Sequence, residues 1–219
     1  AEVKGTLTVT ANTEAGTMAL ISVNKAQLPS QFTYSTHPKV DKKGYETKNG
    51  QLAIKGGKGL PAGRAIGILR WAFQGDEAAP LTINCWPEDD GTGCMNVNIE
   101  MELVRPDLVL NDVNIVIPTG STQAPQIEAI DGIYKHDANN GMMCWHFDTI
   151  SASENSNASL EFTIAGSNSP DNFFPVQVHF RSESLQCPVQ IVSVTHAQNG
   201  TVVPHQATTQ MVQDSYECA

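Results

Sequence analysis

The sequence predicts an all-β chain built of β-sandwiches, and three observations carry that expectation. Apolar and polar residues alternate in short runs, clusters of Gly, Pro, Asn and Ser separate the runs at close spacing, and no stretch sustains a helical period. The 219 residues, 40% of them hydrophobic, are enough for one large or two smaller β domains with a sizeable core.

Glu2 to Thr10 alternates Val3, Gly5, Leu7 and Val9 with Lys4, Thr6 and Thr8, a strand with one polar face. Asn12 to Gly16 turns the chain, Thr17 to Asn24 reads as the hairpin partner, and Gln31 to Thr36 is a third strand rich in β-formers. Beyond a lysine run, Gly44 to Gly50 and the Gly56-Gly57-Lys58-Gly59 cluster mark loops around a short strand at Gln51 to Lys55, and Arg64 to Phe73 completes the group. The glycine cluster lacks the spacing of a nucleotide loop and reads as a plain turn.

Next comes a hairpin. Leu81, Ile83 and Cys85 alternate with Thr82, Asn84 and Trp86; Val97, Ile99, Met101 and Leu103 alternate with Asn96, Asn98, Glu100 and Glu102; Pro87 to Gly93 is dense in turn formers. Asp107 to Pro118, Gln126 to His136, Met142 to Ile150 and Ala158 to Ala165 read as four more strands, with an Asn-Gly turn signal at Asn140-Gly141. After a break at Gly166 to Asp171, Phe173 to Arg181, Cys187 to His196 and Ala207 to Gln213 close the chain.

Charge is segregated. Residues 1–70 hold ten Lys or Arg against four acids, a net of +6, and residues 71–219 hold three against nineteen, a net of −16, which together give the overall −10. Such a split implies an acidic partner for the basic part. Nucleic acid is disfavoured, because no groove-entering helix or stacking module accompanies the lysines. The candidate ligand-binding residues are therefore Lys39, Lys42, Lys43, Lys55 and Lys58, weighed against a merely solvated face.

The other chemistry is thin. Six histidines and many acids lie outside any nucleophile or zinc-protease motif, so no catalytic residue is assigned and a hydrolase is disfavoured. Cys144 and His146 share a strand face but lack two further ligands, so no metal is expected, and no cofactor. His179 reads as a sheet-surface residue. Trp71, Trp86 and Trp145 read first as packing residues and second as ligand contacts.

Five cysteines, an odd number without a Cys-x-x-Cys pair, favour reduced thiols; Cys85 and Cys94, flanking the hairpin, are either a bridge or two small thiols. No apolar run reaches the ~18 residues of a membrane span. No signal peptide is visible at the start, where Glu2 and Lys4 interrupt the apolar pattern. Asn157-Ala158-Ser159 and Asn199-Gly200-Thr201 match the glycosylation triplet, which suits the alternative of an extracellular adhesion or lectin-like sandwich.

Several blocks carry a family resemblance. Leu81 to Pro87 (LTINCWP), then LNDVNIVIP, IDGIYKHD, LEFTIAG and NFFPVQVHF in that order, with Thr36 to Lys43 and Ile68 to Trp71 upstream, are similar to the C-terminal mu-homology domain of the delta-coatomer family. The resemblance implies two immunoglobulin-like β-sandwich subdomains, the second inserted into the first: residues 1–79 plus 172–219, and 80–171, with both termini in the same sandwich.

It further implies a non-enzymatic subunit of the COPI vesicle coat in Golgi-to-endoplasmic-reticulum retrograde transport. Such a domain works beside other coatomer subunits, is cytoplasmic and peripheral to Golgi membranes and coated vesicles, and binds short acidic tryptophan-containing peptides of an endoplasmic-reticulum tether and of a GTPase-activating protein for the ADP-ribosylation factor. Clathrin-adaptor medium subunits, similar in fold, read tyrosine signals with a Trp-x-Arg triplet after a proline. Here Pro204 is followed by His205, Gln206 and Ala207, so that function is not expected.

Overall fold

The computed structural model describes residues 1–213 and 216–218. In chain order the strands are β1 (Glu2–Val9), β2 (Ala19–Val23), β3 (Thr33–Thr36), β4 (Gln51–Leu52), β5 (Ile66–Gln74), β6 (Leu81–Asp89), β7 (Cys94–Leu103) and β8 (Leu110–Pro118). They continue as β9 (Gln126–Ile130), β10 (Ile133–Asp137), β11 (Met142–Ile150), β12 (Asn157–Ala165), β13 (Val176–Ser182), β14 (Ile191–His196), β15 (Met211–Val212) and β16 (Glu217–Cys218). Two short helices, α1 (Glu14–Thr17) and α2 (Lys42–Thr47), lie among the first strands.

The chain forms two units, each an antiparallel sandwich, as the all-β expectation requires. Unit 1 comprises Ala1–Ala78 and Gln186–Thr208, with sheets ordered β1-β5-β3 and β14-β2-β4. Ile21, Val23 and Leu52 of one sheet share a core with Ile68 and Leu69 of the other. Unit 2 comprises Ala79–Leu185 and the chain from Thr209 on, with sheets β6-β7-β12-β9 and β10-β11-β8-β13-β15, β16 also pairing with β13. Its core is larger: Ile99, Leu110, Ile115, Trp145, Leu160 and Phe173 are fully buried, each contributing roughly 1.5–3 kcal/mol.

Five details depart from the sequence reading. The division was expected at 172, with both termini in one sandwich. Instead β13 runs beside β8, registering Val178 with Ile115, so residues 172–185 belong to unit 2, and the last strands follow them by pairing with β13. β2 is not the hairpin partner of β1. Around Ala11, which bridges Ala62, the chain crosses to the other sheet, so β2 pairs with β14 and β4 while β1 pairs with β5. Alternation reveals which face is buried but not which strand lies alongside.

The single strand expected over Gln126 to His136 is two. Gly132, at φ +79°, turns the chain from one sheet of unit 2 to the other, and a Cβ there would lie 2.8 Å from the His146 carbonyl. The loop expected over Gly44 to Gly50 is taken in its first part by α2, whose N-cap Asp41 accepts from the Lys43 N–H at 3.1 Å. Six residues are too few to show a period. β6 also runs on through Pro87, tolerated because β6 is an edge strand, and leaves only residues 90–93 as the turn.

Candidate functional site

The basic third of the chain folds into unit 1, where ten lysines and arginines stand against six acids, a net of +4; unit 2 has three against seventeen, a net of −14. The electrostatic split of the sequence is thus a split between folded units.

β5 is the central strand of its sheet, bulged against β1 between Leu7 and Thr8. On the opposite edge of β5 the Ile68 carbonyl accepts from the His37 N–H at 3.0 Å, which carries the β3–β5 pairing past Thr36. His37 then organises a tight turn: its carbonyl accepts from the Val40 N–H at 2.8 Å, and its Nδ1 accepts from the Lys39 N–H at 3.1 Å. Val40 bridges Ile54, and the Lys55 N–H donates to the Lys39 carbonyl at 2.8 Å.

Between this turn, the 59–65 segment and the start of β5 lies a concavity of about 480 Å³. Lys39, Arg64 and Arg70 stand around it, and Ile54, Pro61 and Ile66 supply its apolar wall. Arg70 registers between Thr6 and Ser35, small neighbours that leave its guanidinium outward. Among the described residues, none of these three cations forms an ion pair. Gly67 also lines the site, and a Cβ there would meet Thr6 Cγ2 at 2.8 Å.

Of the five lysines expected to bind, the structure brings Lys39 and Lys55 together. Lys39 lines the concavity, whereas the Lys55 ammonium is turned aside to donate to the Pro38 carbonyl at 2.9 Å. Lys42 pairs with Glu46 at 3.5 Å along α2; Lys43 is exposed on α2 and Lys58 is exposed beyond β4, and neither lines the concavity. Arg64, Arg70 and His37 were missed as site residues. The arginines were already in the charge count, but only the fold shows that they converge with Lys39: Arg70 stands on β5 in register with Ser35, and Arg64 lies in the segment before β5, next to Gly63, whose N–H donates to the Ala11 carbonyl at 2.7 Å.

The five cysteines are free; Cys85 registers with Ile99, while Cys94 lies at the far end of its ladder opposite Ala165. Burial pushes the Cys85 thiol up to about 12 and also raises those of Cys144, Cys187 and Cys218. Cys144 Sγ and His146 Nδ1 both meet Asn114 Oδ1, at 3.5 and 3.0 Å, and His146 Nε2 lies 3.1 Å from Asp148. His179 is exposed, its Nδ1 2.7 Å from Gln213 Nε2. Trp145 is fully buried and donates to the Asp131 carbonyl at 2.6 Å, but Trp86, expected first as a packing residue, is 47% exposed. It shares the polar face of β6 with Thr82 and Asn84. Pro204 to Ala207 are exposed and outside any strand.

Two sandwiches through which one chain passes in alternation place the protein in a class, the mu-homology domains. The yeast delta-COP-I mu-homology domain, solved with a Dsl1 WxWxV peptide, superimposes with a TM-score of 0.79 at 24% identity, over 100% of this chain and 89% of that one. The chain belongs to the adaptor complexes medium subunit family, whose model matches residues 1–218. It is 33% identical over 183 residues to a probable coatomer subunit delta of Caenorhabditis elegans, covering 83% of this chain, and 31% identical over 219 residues to coatomer subunit delta of Dictyostelium discoideum, covering 99%. The delta-coatomer resemblance read from LTINCWP and its companion blocks is therefore borne out. The chain spans 35% and 39% of the length of those two relatives.

Proposed function

We propose that this domain is a non-enzymatic coat-subunit module that docks short acidic, tryptophan-bearing peptides in the cationic concavity of unit 1. One observation carries the reading: among the described residues, Lys39, Arg64 and Arg70 form no ion pair, and they stand around the apolar wall of Ile54, Pro61 and Ile66. An indole supplies buried area against that wall, and flanking carboxylates meet the three cations. A disordered segment pays ordering entropy on docking, which keeps the complex weak and reversible, as suits a coat that assembles and disassembles.

The relatives support the setting. Two are coatomer delta subunits, and the yeast domain was solved with a WxWxV peptide. On this reading the domain acts in Golgi-to-endoplasmic-reticulum retrograde transport, in the cytoplasm and peripheral to Golgi and COPI-vesicle membranes through the coat. Its partners are the other coatomer subunits and peptide segments of an endoplasmic-reticulum tether and of a GTPase-activating protein for the ADP-ribosylation factor. No helix among the described residues is long and apolar enough to cross a membrane.

The test is a titration of isotope-labelled domain with a short peptide carrying a Trp-x-Trp pair among aspartates. Saturable amide shifts should appear at His37, Lys39, Ile54, Ile66 and Gly67. Shifts confined to residues 79–185 would place the ligand elsewhere and end this reading.

A further inference from the structure

Unit 2 offers an unpartnered sheet face of opposite chemistry. On β6-β7-β12-β9 the inward side chains fill the core, while outward ones align in rows across the strands: Trp86, Asn98 and Glu161 in one, Glu88, Asn96 and Thr163 in the next. The Thr163 hydroxyl lies 2.7 Å from Glu128 Oε1 and 2.9 Å from Asn96 Oδ1, drawing β9 into the second row. Trp86, Glu88, Asn98, Glu128 and Glu161 wall a concavity of about 410 Å³. A second, of about 370 Å³, continues on the same face beside Asn84, Glu100 and Glu102.

None of these four strands contains a lysine or arginine, and none of the face's five glutamates forms an ion pair among the described residues. Asn98 Oδ1 is shielded from water and lacks a hydrogen-bond partner. An exposed indole flanked by carboxylates is complementary to a planar cation. Guanidinium stacks on the indole and donates in a fork to carboxylates, whereas ammonium does only the pairing well. Two successive concavities suit an extended segment better than one small ion.

We propose that this face docks an extended, arginine-bearing segment of a partner protein, with one guanidinium stacked on Trp86 and paired with Glu161 and Glu88. The face lies on unit 2, so this proposal stands or falls separately from the acidic-peptide reading of unit 1.

The probe is the peptide (Arg-Ser)4, with (Lys-Ser)4 for comparison, titrated into the labelled whole domain. Saturable shifts should centre on β6, β7 and β12, with (Lys-Ser)4 the weaker ligand. Trp86→Ala should weaken (Arg-Ser)4 at least about threefold at 0.15 M salt. Glu88→Gln, Glu128→Gln and Glu161→Gln combined should weaken it about tenfold, while Asp148→Asn, Glu154→Gln and Glu183→Gln combined, which remove the same charge elsewhere on unit 2, should cost less than twofold. Equal losses in the two triple variants would mean non-specific attraction to net charge and overturn the proposal. So would absence of saturable shifts in the unmodified domain, a measurement that needs no variant to fold, or self-association of the domain through this face in sedimentation velocity.

Discussion

Lys39 and Lys55 are tied together by backbone and side chain. The Lys55 N–H donates to the Lys39 carbonyl at 2.8 Å, and the Lys55 ammonium donates to the neighbouring Pro38 carbonyl at 2.9 Å. Lys55 thus positions the turn that presents Lys39 and need not touch the ligand itself. Lys55→Met should weaken an acidic Trp peptide about two- to threefold, and Lys55→Arg should largely preserve affinity, because the guanidinium can still donate to Pro38. Fluorescence anisotropy of a labelled peptide checks both.

Tyrosine-signal peptides should show no saturable binding by calorimetry. Pro204 to Ala207 are exposed and offer neither an aromatic wall nor a fixed cation. A micromolar complex mapped there would contradict this.

Gly132 carries the switch between the two sheets of unit 2. Gly132→Ala adds a Cβ at φ +79°, 2.8 Å from the His146 carbonyl and from the Phe147 ring. Neither the backbone nor the fully packed core beneath it can yield easily, so a loss of about 1–3 kcal/mol is expected in urea unfolding.

Burial raises the Cys85 thiol from its ordinary 9.0 to about 12. A group whose folded value lies above its unfolded one gives stability that is fully present below the unfolded value and lost as pH rises through the folded one. The domain should therefore lose stability between pH 9 and 12 as the thiol ionises only in the unfolded chain. In Cys85→Ala that alkaline decline should be shallower, measured as urea midpoint against pH.

Much of this was legible in the sequence wherever one property decided the outcome. The alternation in Leu81 to Leu103 marks inward and outward faces, and it already set Trp86 with Thr82 and Asn84 on the polar side. Partnership was not legible: β1 and β5 meet across more than fifty residues, and β13 joined unit 2 through a ladder with β8 that no local pattern encodes. Gly132 was a visible signal left unused, since an isolated glycine in a strand pattern marks a bend or a close backbone approach. At the site, charge counting found the basic region and Lys39. Arg70 needed the pairing of β3 with β5, and Arg64 needed the 59–65 segment, whose Gly63 N–H is tied to the Ala11 carbonyl; both turn distance along the chain into a shared wall.

The measurement closest to the central claim is affinity for an acidic Trp peptide after reversing the concavity's cations. Each exposed charge contributes only ~0.2–1 kcal/mol, so Lys39→Glu, Arg64→Glu and Arg70→Glu are combined. At low salt the triple variant should bind at least about tenfold more weakly, by ~1.4 kcal/mol, and the deficit should shrink as salt rises. The control Lys42→Glu, Lys43→Glu and Lys58→Glu should lose less than about threefold, because Lys42 is already paired with Glu46 and none of the three lines the concavity. Unchanged affinity in the first variant, or an equal loss in both, would contradict the account.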